Sequence, residues 1–112
     1  MIGGIVIKGD GLGREYGYPT ANLNCSKEDV TISGGVYAAW AFFENKKYKA
    51  ALVIQEKPWK VEVYIMDFEG DIYGRYLEVE FVQKVSELEQ FDSKEEIVEK
   101  IHADMRMIED LL

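Results

Sequence analysis

Between residues 34 and 86 the chain alternates apolar and polar residues in short runs, and beyond residue 91 that period changes. The cleanest run is "KVEVYIMDF" (60–68), in which Val61, Val63 and Ile65 fall on one face and Glu62, Tyr64 and Met66 on the other. A period of two is the mark of a strand with two unlike faces. "GGVYAAWAFF" (34–43), "YKAALVI" and "YLEVEFVQKV" (76–85) read as further strands, with "ENKK" and "EGD" as turns between them. Earlier, "GGIVIKGDGLG" begins as a short strand and runs into a glycine loop, and "TANLN" reads as extended. The tail "FDSKEEIVEKIHADMRMIEDLL" spaces Ile97, Ile101, Met105, Ile108 and Leu112 by three and four, which predicts an amphipathic helix with an acidic outer face. Ser93 with Glu96 predicts its capping box, and Asp92 is a competing cap. About six short strands followed by one helix predict an all-β fold, a small closed antiparallel barrel with a C-terminal α-helix packed on it.

A chain of 112 residues is expected to form a single domain, residues 1–112, around a modest core. Its 21 acidic and 13 basic residues leave a net charge of −8, which repels phosphate backbones and argues against a nucleic-acid or anionic-membrane partner. No apolar run approaches the roughly 18 residues of a membrane span, so a cytoplasmic protein is expected. With one cysteine and one histidine, an internal disulfide and a zinc site of the usual ligand set are both excluded, and oxygen ligands are expected for any metal.

Three stretches carry candidate chemistry. Gly9, Gly11 and Gly13 with Arg14 match neither the P-loop nor the dinucleotide fingerprint. They can form an anion nest of backbone N–H groups, or a plain strand connector. Thr20 and Asn22 are two residues apart, so in an extended chain their oxygens converge, as Mg²⁺ carrying phosphate would require; a polar turn bonding its own backbone is the alternative. Pro19 fixes the backbone just ahead of them. Glu62 sits mid-strand, where a carboxylate can accept a proton from an attacking hydroxyl or simply face solvent with Lys60 as its companion. Among the rest, His102 is expected at the surface, Cys25 partly buried, Trp40 in the core, and Trp59, beside Pro58 in a turn, as a surface aromatic.

The order of these pieces resembles the riboflavin kinases of the bacterial and eukaryotic type. The likeness is carried by "GDGLGREYGYPTANL", "GGVYAAW", "VEVYIMDFEGDIYGRYLEVEF" and "FDSKEEIVEKIHADM", which together span almost the whole chain. It implies a six-stranded barrel that transfers the γ-phosphate of ATP to the 5′-hydroxyl of riboflavin to give FMN. It further implies that Thr20 and Asn22 hold the metal and nucleotide phosphate, with Mg²⁺ as the expected ion and Mn²⁺ or Zn²⁺ as alternatives. Gly9, Gly11, Gly13 and Arg14 correspond to the flap over the phosphates, Pro19 to a further nucleotide-binding position, Ile72, Tyr73 and Gly74 to the adenine pocket, and Glu62 to the general base. The flavin-side candidates are Trp59, Glu62 and Phe91. No partner beyond riboflavin, FMN, ATP and ADP is implied, and a monomer is expected.

Departures from the family pattern gather on the flavin side. Val53, Ile54 and Gln55 replace an asparagine-isoleucine-glycine run, Trp59 a threonine, Tyr64 a histidine and Ser86 an arginine, and only Trp59 and Lys60 separate Pro58 from Val61. These changes point either to a rebuilt pocket in which Trp59 stacks on the flavin, or equally to weak flavin affinity or a different acceptor alcohol. A non-catalytic flavin- or nucleotide-binding module and a kinase of another small alcohol are the alternative readings. Nothing in the chain resembles the adenylyltransferase module often fused to such domains, so a stand-alone kinase without FAD synthesis is expected.

Overall fold

The computed structural model describes residues 1–8 and 20–112. Six strands, β1 (Ile2–Ile7), β2 (Thr20–Asn24), β3 (Gly35–Phe43), β4 (Lys46–Glu56), β5 (Trp59–Ile65) and β6 (Tyr76–Ser86), are followed by one helix, α1 (Lys94–Leu111). The strands close into a barrel in the order β1-β2-β5-β4-β3-β6, and every neighbouring pair is antiparallel.

Turn chemistry sets two of the joints. Between β3 and β4 only Glu44 and Asn45 intervene, both at positive φ (49° and 65°), the two-residue turn whose twist suits a hairpin. Before β6, Gly74 (φ 79°) is the third residue of a turn closed by the Arg75 N–H donating to the Ile72 carbonyl at 3.0 Å. A positive φ at that place is the reason a glycine stands there.

Two cores result, one on each side of the sheet. Inside the barrel lie Val6, Leu23, Leu52, Ile54, Val61, Val63, Leu77 and Val79, all nearly or fully buried. Outside it, Val36, Ala38 and Ala51 meet Met105 and Ile108 of α1, with Val53, Tyr64, Met66 and Ile101 at the margin. The expected helical stripe is therefore the face that docks. Ser93 caps the helix, its hydroxyl oxygen accepting from the Glu96 N–H at 3.3 Å, so Asp92 does not serve as the cap. His102 is exposed and Cys25 half-buried, as expected.

Trp40 departs from expectation. Along β3, Tyr37, Ala39, Ala41 and Phe43 point into the barrel, so Trp40 falls on the outer face. It lies there half-buried, with the Lys47 ammonium 4.2 Å from its ring centre.

Candidate active site

The antiparallel ladder between β2 and β5 pairs Thr20 with Tyr64, Ala21 with Val63 and Asn22 with Glu62. Ala21, Leu23, Val61 and Val63 fill the barrel interior. Alternation therefore sends Thr20, Asn22, Glu62 and Tyr64 to the outer face as one two-by-two block. Directly opposed residues of such a pair carry Cβ atoms roughly 4.5–5.5 Å apart, close enough for an amide oxygen and a carboxylate to converge. The outer face here is covered: Asn22 is 7% exposed and the Glu62 side chain 12%. Lys60, two residues before Glu62 on the same face, brings its Nζ to 3.4 Å from Glu62 Oε1.

Two cavities flank this block. The larger, about 500 Å³, is a groove between the outer face of β3, β4 and β5 and a wall made by residues 88–92 and the first half of α1. Lys60, Glu62 and Tyr64 line its floor with Val53 and Gln55, and Phe91, Ile97 and Ile101 line the wall. The smaller, about 170 Å³, gathers Thr20, Phe68, Asp71, Ile72 and Tyr73. Of the three expected adenine-side residues, Ile72 and Tyr73 thus stand beside Thr20, and Gly74 supplies the turn that holds them, its N–H donating to the Val6 carbonyl at 2.8 Å. The candidates Gly9, Gly11, Gly13, Arg14 and Pro19 lie outside the described residues.

Trp59 is not brought to the groove. It has the parity of Val61, Val63 and Ile65, packs against the barrel interior, and its indole Nε1–H donates to the Cys25 carbonyl at 2.7 Å. The expectation that Trp59 stacks on a planar ligand beside Glu62 is corrected by this alternation, because residues 59 and 62 lie on opposite faces of one strand. Phe91, by contrast, does face the groove with Glu62.

A polar cluster in the groove wall escaped the sequence reading. Lys100 Nζ lies 2.8 Å from both Asp104 Oδ2 and Ser86 Oγ, and the Ser86 hydroxyl donates to Asp104 Oδ2 at 3.1 Å. This ties the end of β6 to α1, with Asp104 only 8% exposed. The signal was present: Asp104 falls within the stripe Ile101, Met105, Ile108 rather than on the acidic outer face, and Lys100 precedes it by four.

The oxygen donors around the ladder are two hydroxyls (Thr20 and Tyr64), an amide oxygen and one carboxylate. Among the described residues no group of three or more His, Cys, Asp or Glu could hold a metal on its own. Such a set fits Mg²⁺, which retains waters and takes one or two protein oxygens plus phosphate oxygens.

The chain matches the flavokinase family model, riboflavin kinase, over residues 1–112. It is 32% identical over 117 residues to a bifunctional riboflavin kinase/FMN adenylyltransferase of Buchnera aphidicola, covering 96% of this chain and 37% of that protein. It is 33% identical over 118 residues to the RNA-binding riboflavin kinase RibR of Bacillus subtilis, covering 96% of this chain and 49% of that protein. The chain thus spans between about a third and a half of the length of these two relatives. Among solved structures, riboflavin kinase from Trypanosoma brucei superposes with a TM-score of 0.75 at 26% identity, covering 98% of this chain and 77% of that one. A six-stranded closed barrel with one C-terminal helix, matched to the family model from end to end, makes this chain a member of the riboflavin kinase family.

Proposed function

We propose that this chain transfers the γ-phosphate of ATP to the 5′-hydroxyl of riboflavin, giving FMN and ADP. The observation that carries the proposal is the opposition of Asn22 and Glu62 on one ladder, with Glu62 on the floor of a broad groove over β4 and β5 and Thr20, two residues before Asn22, in a narrow cavity. The narrow side suits a nucleotide, with Ile72 and Tyr73 beside it. The broad side suits a planar apolar body, with Val53 below and Phe91, Ile97 and Ile101 opposite.

Phosphoryl transfer asks a protein for position and for charge stabilisation more than for covalent chemistry. Thr20 and Asn22 are the residues that would hold Mg²⁺ here, and the ion, when bound, offsets the charge of the phosphate oxygens. Glu62 accepts the proton of the riboflavin hydroxyl as its oxygen forms a bond to the γ-phosphorus and the bond to ADP breaks. A strand in a closed ladder fixes the Cα of Glu62.

No helix among the described residues is long and apolar enough to cross a membrane, and the net charge is −8. We place the protein in the cytoplasm as a monomer whose partners are riboflavin, FMN, ATP and ADP, with neither nucleic acid nor membrane among them. FMN formation followed by chromatography, with riboflavin, ATP and Mg²⁺, tests the proposal when run beside Glu62→Gln. FMN that depends on Glu62 supports it, whereas no FMN with nucleotide still bound points to a non-catalytic module or another acceptor alcohol.

A further inference from the structure

Lys60 enters the groove beside Glu62, and nothing in the transfer mechanism above uses it. Alternate residues of a strand lie about 6.6–7 Å apart along the chain. The Lys60 side chain must therefore lean along β5 to bring its Nζ within 3.4 Å of Glu62 Oε1. Neither partner is a free surface charge, since the Lys60 side chain is 25% exposed and that of Glu62 12%. A pair so covered is less screened by water and holds its geometry better than an exposed one.

Several groups near this pair have contacts of their own. Gln55, across the ladder from Lys60, donates its side-chain Nε2–H to the Pro58 carbonyl at 2.9 Å. The other groove lysine, Lys100, is held by Asp104 and Ser86. Glu89 and Asp92 stand on the far wall. Glu62 has Asn22 opposite it on β2 and the Lys60 ammonium beside it along its own strand.

We propose that Lys60 is a positioning residue, whose ammonium holds the Glu62 carboxylate at the angle from which it meets the acceptor hydroxyl. This rests on the kinase reading above. A glutamate has three side-chain torsions, and a strand fixes none beyond its Cβ direction. A carboxylate must lie within about 3 Å of the proton it takes, so an anchor at one oxygen limits the arc over which it can stray.

The test is steady-state FMN formation by wild type, Lys60→Met and Lys60→Arg, with Lys60→Met repeated in the Glu62→Gln background. Circular dichroism melts of each variant verify folding. Lys60→Met is expected to lower kcat roughly 10- to 100-fold, the scale of a small misplacement of a reacting group. Riboflavin KM is expected to stay within about twofold, Lys60→Arg to recover most of the rate, and Lys60→Met to add no loss once Glu62 is glutamine. A kcat that Lys60→Met leaves unchanged, a rise in KM alone, or an equal loss in both backgrounds overturns the positioning role while leaving the kinase reading intact. A wild-type protein that makes no FMN overturns the kinase reading itself, and this role with it.

Discussion

Asn22 and Glu62 stand directly opposite each other on β2 and β5, and both leave the barrel on its outer face. The amide oxygen suited to a cation and the carboxylate suited to a proton are thereby set side by side by backbone pairing alone. If the chain is a kinase, Glu62→Gln keeps the shape and removes the base. It should lower the rate of FMN formation by about 10²–10⁴-fold while Mg-nucleotide binding, read by calorimetry, stays unchanged.

Thr20→Val and Asn22→Ala should act differently, because on the kinase reading they remove the proposed ligands rather than the proposed base. Each is expected to weaken Mg-nucleotide binding by about tenfold, or ~1.4 kcal/mol, and to lower turnover with it. Calorimetric titration of nucleotide with and without Mg²⁺ checks this: the variants should bind alike without the ion and differ from wild type only with it.

Trp59 gives a clean separation of structure from ligand. Its indole packs against the barrel interior and donates to the Cys25 carbonyl at 2.7 Å. Trp59→Phe should leave that half-buried carbonyl without its partner and cost about 1–3 kcal/mol in urea unfolding. Riboflavin KM should not move, because residue 59 faces away from the groove; a large rise in KM would show that the side chain reaches the ligand after all.

The groove wall hangs on a buried charge. Lys100→Met strands the Asp104 carboxylate, 8% exposed, beside Ser86. The expected cost is about 3 kcal/mol, near the lower edge for removal of one partner from a buried pair, since both side chains keep some contact with water. Pairing it with Asp104→Asn should recover part of the loss in denaturant melts.

Cys25 should be a slow thiol. Burial, and then the nearby Asp29 carboxylate, raise its pKa above the ordinary cysteine value. At neutral pH the folded protein should react with a disulfide reagent more slowly than the urea-unfolded chain, and the gap should narrow as pH climbs. The sign for stability agrees: a proton held more tightly in the fold favours the folded state below the unfolded thiol pKa, and that contribution fades as pH rises through the folded value.

How much of this was legible in the sequence depends on period. The run from Val61 to Met66 assigns inside and outside unambiguously, so the barrel and the outward aim of Glu62 could both be read before any coordinates. The same rule, carried two residues back from Val61, places Trp59 inside; the adjacent proline made it look like a turn residue, yet β5 begins at Trp59. Trp40 was misjudged because an aromatic in a strand suggests a core, whereas its parity matches Val36 and Ala38 on the outer face. Residues 88–92 have no period, so their role as a groove wall followed only from where α1 docks. The opposition of Asn22 and Glu62 needed the ladder register, which no local pattern encodes.

A cylinder without edges has a consequence for how such a protein can change. β2 and β5 are each flanked on both sides, so the residues they present cannot drift apart unless the whole cylinder opens. The opposite wall is a helix and a short unpatterned stretch, held by apolar contacts, the Lys100–Asp104–Ser86 cluster and the Lys49 ammonium donating to the Glu109 carbonyl. Descent with modification can therefore re-line one bank of the channel while Asn22 and Glu62 on the other bank stay where the staves of the barrel put them.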